Sequence, residues 1–472
     1  MNRKIVITRK QGALREELMK MEHKGEVLDP RQVFEKKLNF YKEEHQRLTT
    51  LLNVTRNISK ELELDNLLIT IMDEVKRALK ADRCTVFLVD EDKKELWSKV
   101  AHGEKNIRFP VHLGIAGHVV TTGDVLNIPD AYADPRFNPE IDKETGYHTR
   151  NMLTFPMRNR LNEIIGVFQV LNKYDNSFTK EDEGLLDVIS TIASTQLENA
   201  QLYEEQKKTL ESFVETLAST IDARDTLTAG HSKRIAEYSL EIAEIINLPQ
   251  KRRELLRYAA LLHDYGKIAI RGDVLYKKGS LTIEEYCKIQ EHPAITKSIL
   301  EKINFSRDFS ELPEIAGAHH EKLNGTGYPE GLTEDEIPFE AKILSIVDVF
   351  DAMTSRRPYR DRMEFENVVN SIESNLGTHL DRDLFNAFKK IKLDRLIQIL
   401  VKEEVDHSDK LVQEDLQFLR LYDIQQLMDI IRDQSEYLEG KKVLDLFYKY
   451  YYRDYLNGLK GDYEKKYKMA SV

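Results

Sequence analysis

A chain of 472 residues exceeds one ordinary hydrophobic core and calls for two or three domains, since single domains run to roughly 100–200 residues. With 41% hydrophobic and 32% charged residues and no long apolar run, no association with a membrane is expected. A formal net charge of -11 argues against general nucleic-acid binding, which draws on clustered Lys and Arg, and leaves room for a small anionic ligand in a locally cationic pocket.

At the N-terminus, charges interrupt the apolar residues before a signal-peptide core can form. Only Cys84 and Cys287 are present, too far apart in sequence to suggest a disulfide framework, so a cytoplasmic, reducing location is expected. Residues 1–47 read as a helical leader, with a helix-compatible stretch over 31–47 after Asp29-Pro30. Over 48–79, Leu51, Leu52, Ile58, Leu62, Leu67, Leu68, Ile71, Met72 and Val75 recur at helical spacing. The period then shortens to two. The stretches 84–90 and 95–100 flank a turn-like Asp-Glu-Asp-Lys-Lys and predict a hairpin, with further strands at 107–111, 125–128, 151–156 and 164–172. The region 48–200 is therefore an α+β domain, a central antiparallel sheet flanked by helices.

Over 184–224 no Gly or Pro follows the first residue, and Leu185, Val188, Ile189, Ile192, Leu197, Leu202, Leu210, Val214, Leu217 and Ile221 are spaced for one long connecting helix. Such a helix can pair with its copy in a parallel homodimer and pass movement from one domain to the next, or it can pack on its own domains. An all-α domain is expected over 212–392. A helical extension follows over 393–472, whose Tyr-rich run from Phe447 to Tyr455 reads as packing or partner surface.

Five of the thirteen histidines, His231, His263, His292, His319 and His320, fall in the all-α region near carboxylates, which points to a transition-metal site. His263-Asp264 ends the helical run 254–262, and an Asp with two oxygens can bridge two metals about 3.5–4 Å apart, the separation used in phosphoester hydrolysis. Lys267 follows one helical turn later and meets the same site if helical geometry persists past Gly266.

Two resemblances rest on these residues. Asn172-Lys173, Phe178 and Asp182-Glu183 resemble the signature of cyclic-nucleotide-binding GAF domains, and Asp130-Ala-Tyr-Ala-Asp-Pro-Arg-Phe137 resembles another part of the same family, over roughly 48–200. In that family the signature lies outside the pocket and supports it through a salt bridge. It implies a ligand class, a cyclic mononucleotide, without naming contacts, and a GAF fold that only dimerises is the alternative. His263-Asp-Tyr-Gly-Lys267, His319-His-Glu321 and Asn324-Gly-Thr-Gly-Tyr-Pro329 resemble the HD-GYP phosphodiesterases, over roughly 212–390. Gly230-His231-Ser, Glu291-His292-Pro, the run from Val347-Asp348 to Ser355 and Arg357-Pro-Tyr-Arg360 extend the match.

The second resemblance implies an HD-superfamily domain that hydrolyses cyclic di-GMP to pGpG, and in some members on to GMP, with two divalent metals. Fe or Mn is expected, with Zn, Ni or Co as further options. It implies His231, His263, Asp264 and Asp348 on one metal, and His292, His319 and His320 with bridging Asp264 on the other. Lys267 would lie beside the scissile phosphate, Tyr328 and Gly327 in a loop at the substrate, and Arg357 and Arg360 on substrate phosphates. Gly325, Gly327 and Gly331 also have a plain reading as a tight loop, and Asp351 as a hydrogen-bond acceptor behind the site. Two positions depart from the pattern. Asn324 replaces the usual Asp and loses its charge, and Leu227 stands where three-metal members carry Glu. A module that only binds cyclic di-GMP, and an enzyme for another cyclic dinucleotide, are the alternatives.

Overall fold

The computed structural model describes residues 30–101, 104–224, 230–277, 279–355, 362–402, 409–433 and 438–452. The chain divides into two compact units, 1–208 and 209–472.

The first unit opens with helices α1 (Pro30–Ile58) and α2 (Leu64–Leu79). The stretch 48–79, with apolar positions at helical spacing, is two helices interrupted at residues 59–63. Leu62, counted into the apolar stripe, faces solvent, because α2 turns back to place Leu67, Leu68, Ile71, Met72 and Val75 in the core. The predicted strands follow as β1 (Ala81–Asp90), β2 (Glu95–Ala101), β3 (Glu104–Pro110), β4 (Leu126–Ile128), β5 (Met152–Arg158) and β6 (Ile164–Lys173). They form one antiparallel sheet in the order β3-β2-β1-β6-β5-β4. Helices α3 (Gly114–Thr122) and α4 (Pro139–Thr145) lie between strands, and α5 (Lys180–Arg224) leaves the sheet.

Strand alternation sorts the two faces. Cys84, Val86 and Leu88 of β1, with Phe168 and Val170 of β6, join the core shared with α1, α2 and α5. Phe87 and Val167 point the other way, against α3. The register Thr85↔Gln169 and Arg83↔Leu171 places those four side chains on that second face. Helix α5 starts four residues before the expected position, with Glu181, Asp182 and Glu183 in its first turn, where the helix dipole favours acids. Its stripe is taken up within the two units. Leu186, Ile189, Ala193 and Leu197 lie in the first core, Val214 and Ala218 in the second.

The second unit is helical: α6 (His231–Ile245), α7 (Gln250–Leu262), α8 (Gly272–Leu275), α9 (Ile283–Gln290), α10 (His292–Leu300), α11 (Leu312–Gly317), α12 (Phe339–Thr354), α13 (Phe365–Glu373), α14 (Arg382–Phe388), α15 (Leu393–Leu400), α16 (Lys410–Leu419), α17 (Ile424–Asp433) and α18 (Leu438–Tyr451). Helices after residue 393 complete the same core as those before it. Phe447 lies with its ring centroid 4.8 Å from that of Phe365, and Tyr451 Oη donates to the Met363 carbonyl at 2.6 Å, so the aromatic run through Tyr451 is packing. No helix among the described residues is long and apolar enough to cross a membrane.

Candidate metal centre

Helix α7 buries Leu255, Leu256 and Tyr258 through Leu262, which fixes its C-terminal end and the His263-Asp264 pair beyond it. A 3₁₀ turn, Tyr265–Ala269, then brings Lys267 back to the pair. Gly266 permits this. A Cβ there would sit 2.0 Å from the His292 carbonyl oxygen, so only glycine lets α10 approach the turn. Thr296 of α10 locks the contact, accepting from Gly266 N at 2.8 Å and donating to the His263 carbonyl at 2.9 Å. His319 and His320 follow α11, and Ser345 of α12 donates to the His319 carbonyl. His231 opens α6, and α12 supplies Asp348 and Asp351.

The imidazoles are held in one tautomer. Nδ1 of His263, His292 and His319 each lies 2.6–2.7 Å from the carbonyl oxygen three residues earlier, Ala260, Ile289 and Ala316. A carbonyl only accepts, so each Nδ1 carries the proton and each Nε2 presents a lone pair. His231 Nδ1 meets Asp351 Oδ2 at 2.7 Å, and Asp351 also accepts from Arg234 and Ser355, which makes it a support behind the site.

The free nitrogens converge on Asp264. Its Oδ1 lies 3.1 Å from His292 Nε2 and 4.0 Å from His319 Nε2, while its Oδ2 lies 3.5 Å from His263 Nε2 and 3.7 Å from His231 Nε2. Asp348 Oδ1 is 3.3 Å from His231 Nε2, and its Oδ2 is 3.9 Å from His320 Nδ1. Two triads result, His231 with His263 and Asp264, and His292 with His319 and His320, each with ligand atoms within 4.8 Å of one another. Lys267 Nζ donates to Asp264 Oδ2 at 2.5 Å.

This donor set fits metal cations. His292 Nε2 and His319 Nε2 stand 3.3 Å apart with both protons on the far nitrogens, so two lone pairs face each other with no hydrogen between them. The buried His263 Nε2 has no hydrogen-bond partner among the described residues. Two buried lone pairs in conflict and a third without a donor are costly unless a cation joins them. Electrostatics agree. Burial, with His320, His263 and His292 nearby, holds His319 well below the usual imidazole pKa, and burial brings His320 down to about 4, so both are neutral donors. Burial alone would raise Asp264, but Lys267, His263 and His292 outweigh it and keep the carboxylate ionised. Burial would lower His231, yet Asp348 and Asp351 push it up to about 10, the mark of a spot that favours positive charge.

The remaining expected residues divide. The Tyr328 ring lies 4.8 Å, centroid to centroid, from that of His320, at the edge of the second triad. Gly327 has a backbone reason to be glycine, since a Cβ would lie 2.4 Å from Lys322 N. Asn324 Oδ1 accepts from Thr326 N and Oγ1, an acceptor role that Asp would fill as well. Arg357, Arg360 and Leu227 lie outside the described residues. Glu321 was part of a quoted motif but carried no role. Its buried carboxylate accepts from Glu330 N, Gly331 N and Leu332 N and so ties the loop to the His pair. Arg234 and Thr296 went unremarked, because nothing in sequence spacing links them to the residues they hold.

In the first unit a cavity of about 400 Å³ opens on the second face of the sheet, with Arg83, Thr85, Gln169, Phe87 and Phe109 among its walls. The Arg83 guanidinium lies 3.7 Å from the centroid of the Tyr147 ring. Asn172, Lys173, Phe178, Asp182 and Glu183 do not line this cavity, whereas Arg136 and Phe137 of the Asp130–Phe137 stretch do. Lys173 Nζ donates to Asp182 Oδ1 at 2.6 Å, Asp182 Oδ2 accepts from Thr179 N and Oγ1, and Phe178 is buried. Asn172 holds Arg150 N, the His148 carbonyl and Tyr147 Oη, so it braces one cavity wall from behind.

Comparison with known proteins matches residues 63–197 to the GAF domain family and residues 215–384 to the HD domain family. The chain is 42% identical over 181 residues to a 3'3'-cGAMP-specific phosphodiesterase 3 of Vibrio cholerae, covering 38% of this chain and 39% of that protein. It is 31% identical over 211 residues to the 3'3'-cGAMP-specific phosphodiesterase 2 of the same organism, covering 45% and 40%. To a cyclic di-GMP phosphodiesterase of Thermotoga maritima it is 34% identical over 259 residues, covering 55% of this chain and 66% of that one. The chain thus spans two-fifths to two-thirds of these relatives.

Proposed function

From a chain in which a GAF domain precedes an HD domain, we propose a metal-dependent phosphodiesterase of the HD-GYP type that hydrolyses cyclic di-GMP to pGpG. The observation that carries this reading is Asp264, whose two oxygens face separate groups of lone-pair nitrogens. His231, His263, Asp264 and Asp348 would hold one divalent cation, and His292, His319 and His320, with Asp264, the other. The mixed imidazole and carboxylate donors suit Fe or Mn. Such cations, when bound, lower the pKa of water to about 7 and offset charge on a phosphoryl oxygen.

The chain's own residues supply the rest. His263, His292 and His319 are fixed in orientation through Nδ1, which turns Nε2 of each toward the site. Lys267, partly exposed beside Asp264, offers an ammonium to a phosphate oxygen. Tyr328 presents a ring at the edge of the second triad. Arg357 and Arg360 are assigned to substrate phosphates on the family resemblance. A second reading, 3'3'-cGAMP as substrate, is favoured by the relative at 42% identity. Assaying the metal-loaded chain against cyclic di-GMP, 3'3'-cGAMP and cyclic mononucleotides tests both readings. Preferential turnover of cyclic di-GMP to pGpG is expected. Preference for 3'3'-cGAMP selects the second reading, and no turnover of either dinucleotide refutes the activity.

The GAF cavity, largely apolar with Arg83, Thr85 and Gln169 on its floor, suits a small planar anion, and we assign it a cyclic mononucleotide that regulates hydrolysis. Its effect is bounded by the ligand's differential affinity for two states, typically 1–3 kcal/mol. Binding of cAMP or cGMP without a change in rate would remove the coupling.

A further inference from the structure

Beside the second triad lies a cavity of about 170 Å³ that the chemistry above leaves unused. His320 is its common wall with the metal centre, and Lys322, Val349, Asn375, His379 and Leu380 line much of the rest. Sites for whole small molecules run to roughly 300–1,000 Å³, so this one takes a single ring system, one part of a larger ligand. The backbone builds it firmly. Leu323 N and Asn324 N donate to the His379 and Thr378 carbonyls at 3.4 and 2.9 Å, which pins the residues after the His pair to the turn between α13 and α14. The Asn375 carbonyl closes that turn by accepting from His379 N and Leu380 N, and Gly377 makes it possible at φ +77°. Among the described residues, neither the Lys322 ammonium nor the His379 ring nitrogens have a partner. The Asn375 amide nitrogen donates to the Ser371 carbonyl at 2.8 Å, which leaves its Oδ1 as an acceptor.

We propose that this cavity is a base subsite of the phosphodiesterase centre and that it selects guanine. The inference rests on the preceding reading for the phosphate at the metal centre and adds what reads the base. Leu380, Val349 and the His320 ring supply apolar and aromatic surface for a planar ring. Guanine presents the acceptors O6 and N7 beside the donors on N1 and N2. Lys322 and a ring N–H of His379 are donors for the first pair, and Asn375 Oδ1 is an acceptor for the second. Adenine places its N6 amino group where guanine has O6, so a donor would meet the Lys322 ammonium, and such a mismatch rejects the wrong base. Cyclic di-GMP and 3'3'-cGAMP each carry a guanine and satisfy this subsite, whereas cyclic di-AMP does not.

The test is the affinity of the metal-loaded full chain for pGpG and pApA, linear dinucleotides that differ only in their bases, measured by calorimetry. The wild type is expected to bind pGpG about tenfold tighter or better, the factor that one well-placed pair of base contacts gives. Lys322→Met should lose most of that preference by weakening pGpG while pApA affinity holds, and turnover of cyclic di-GMP should suffer in KM rather than in kcat. His379→Leu should act in the same direction. Bound metal by elemental analysis and a cooperative thermal transition establish that each variant is folded. Where His379→Leu fails to fold, Lys322→Met, at a partly exposed position, carries the test alone. Equal affinity of the wild type for pGpG and pApA overturns the proposal. So does a preference that survives substitution, or a loss that falls on both nucleotides alike, as a merely structural role would give. A wild type that prefers pGpG yet turns over no cyclic dinucleotide refutes the reaction and keeps the subsite, so the two failures are told apart.

Discussion

Each unit buries a cluster of charged and polar side chains that a sequence motif singles out, and the two clusters differ in how their atoms are satisfied. In the GAF domain, Lys173 meets Asp182, Asp182 takes two further donors from Thr179, and the Asn172 amide is used at both ends. Nothing there asks for an additional group. In the HD domain, His292 and His319 turn lone pairs on each other and His263 turns one into a space with no donor among the described residues. A closed polar cluster holds a fold together, whereas an open one with its lone pairs converging is arranged for something the chain does not provide. Motif matching alone does not separate these cases; the accounting of donors and acceptors does.

The largest effect is expected at the shared carboxylate. Asp264→Ala removes the carboxylate that belongs to one triad and faces the other, and should lower turnover by about 10³-fold or more, with loss of bound metal measured by elemental analysis. Full metal content in that variant would break the contrast, because the open cluster would not depend on its centre. Asp182→Ala attacks the closed cluster. It leaves Lys173 with only the Leu79 carbonyl and no counter-charge, and should cost about 3 kcal/mol in the stability of the GAF unit, read by chemical denaturation through Trp97, with metal content unchanged. Replacing both partners, as Lys173→Met/Asp182→Leu, should recover most of that loss, since a buried pair owes much of its worth to the penalty for breaking it.

How much of this was legible in advance follows the same division. Period-two and period-3.6 patterns gave the strands and the helices α1, α2, α5 and α7, because burial on one face imposes them, while most helices of the second unit were read only as an all-α region. The break at residues 59–63 was hidden, since Leu62 has the right spacing and only tertiary packing turns it outward. The seven positions that the resemblance implies for metal fall in one place, and five of them, the histidines, already stood out by their clustering in the sequence. The residues that orient them were not. Thr296 acts through one hydroxyl from a neighbouring helix, and Arg234 through Asp351, contacts that no local pattern announces.

Glu321 sharpens the comparison, being a closed element inside the open site. Its Oε1 accepts from Glu330 N and Gly331 N and its Oε2 from Leu332 N. In Glu321→Gln the amide nitrogen cannot accept, so at least one part-buried N–H loses its partner at a cost of about 1 kcal/mol. The loop that carries Tyr328 should loosen and turnover should fall roughly tenfold while metal content holds. Metal loss in this variant would place Glu321 with the ligands rather than with the loop.

The smallest effect is expected at Asn324, where the sequence departs from the usual Asp. Its side-chain oxygen accepts from Thr326 N at 3.2 Å and Thr326 Oγ1 at 2.7 Å, and the residue is exposed. Asp presents the same acceptor in the same place, so Asn324→Asp keeps the turn and adds only a charge in water, where screening weakens it. Stability should change by no more than about 0.5 kcal/mol. If the role of this position is to shape the loop, turnover should stay within about threefold, because 1.4 kcal/mol is needed for a factor of ten and the loop geometry is unaltered. A tenfold gain on restoring Asp, with metal content and melting temperature unchanged, would show that the charge itself acts on the reaction and that Asn324 makes this chain a weaker enzyme than its ligand set suggests.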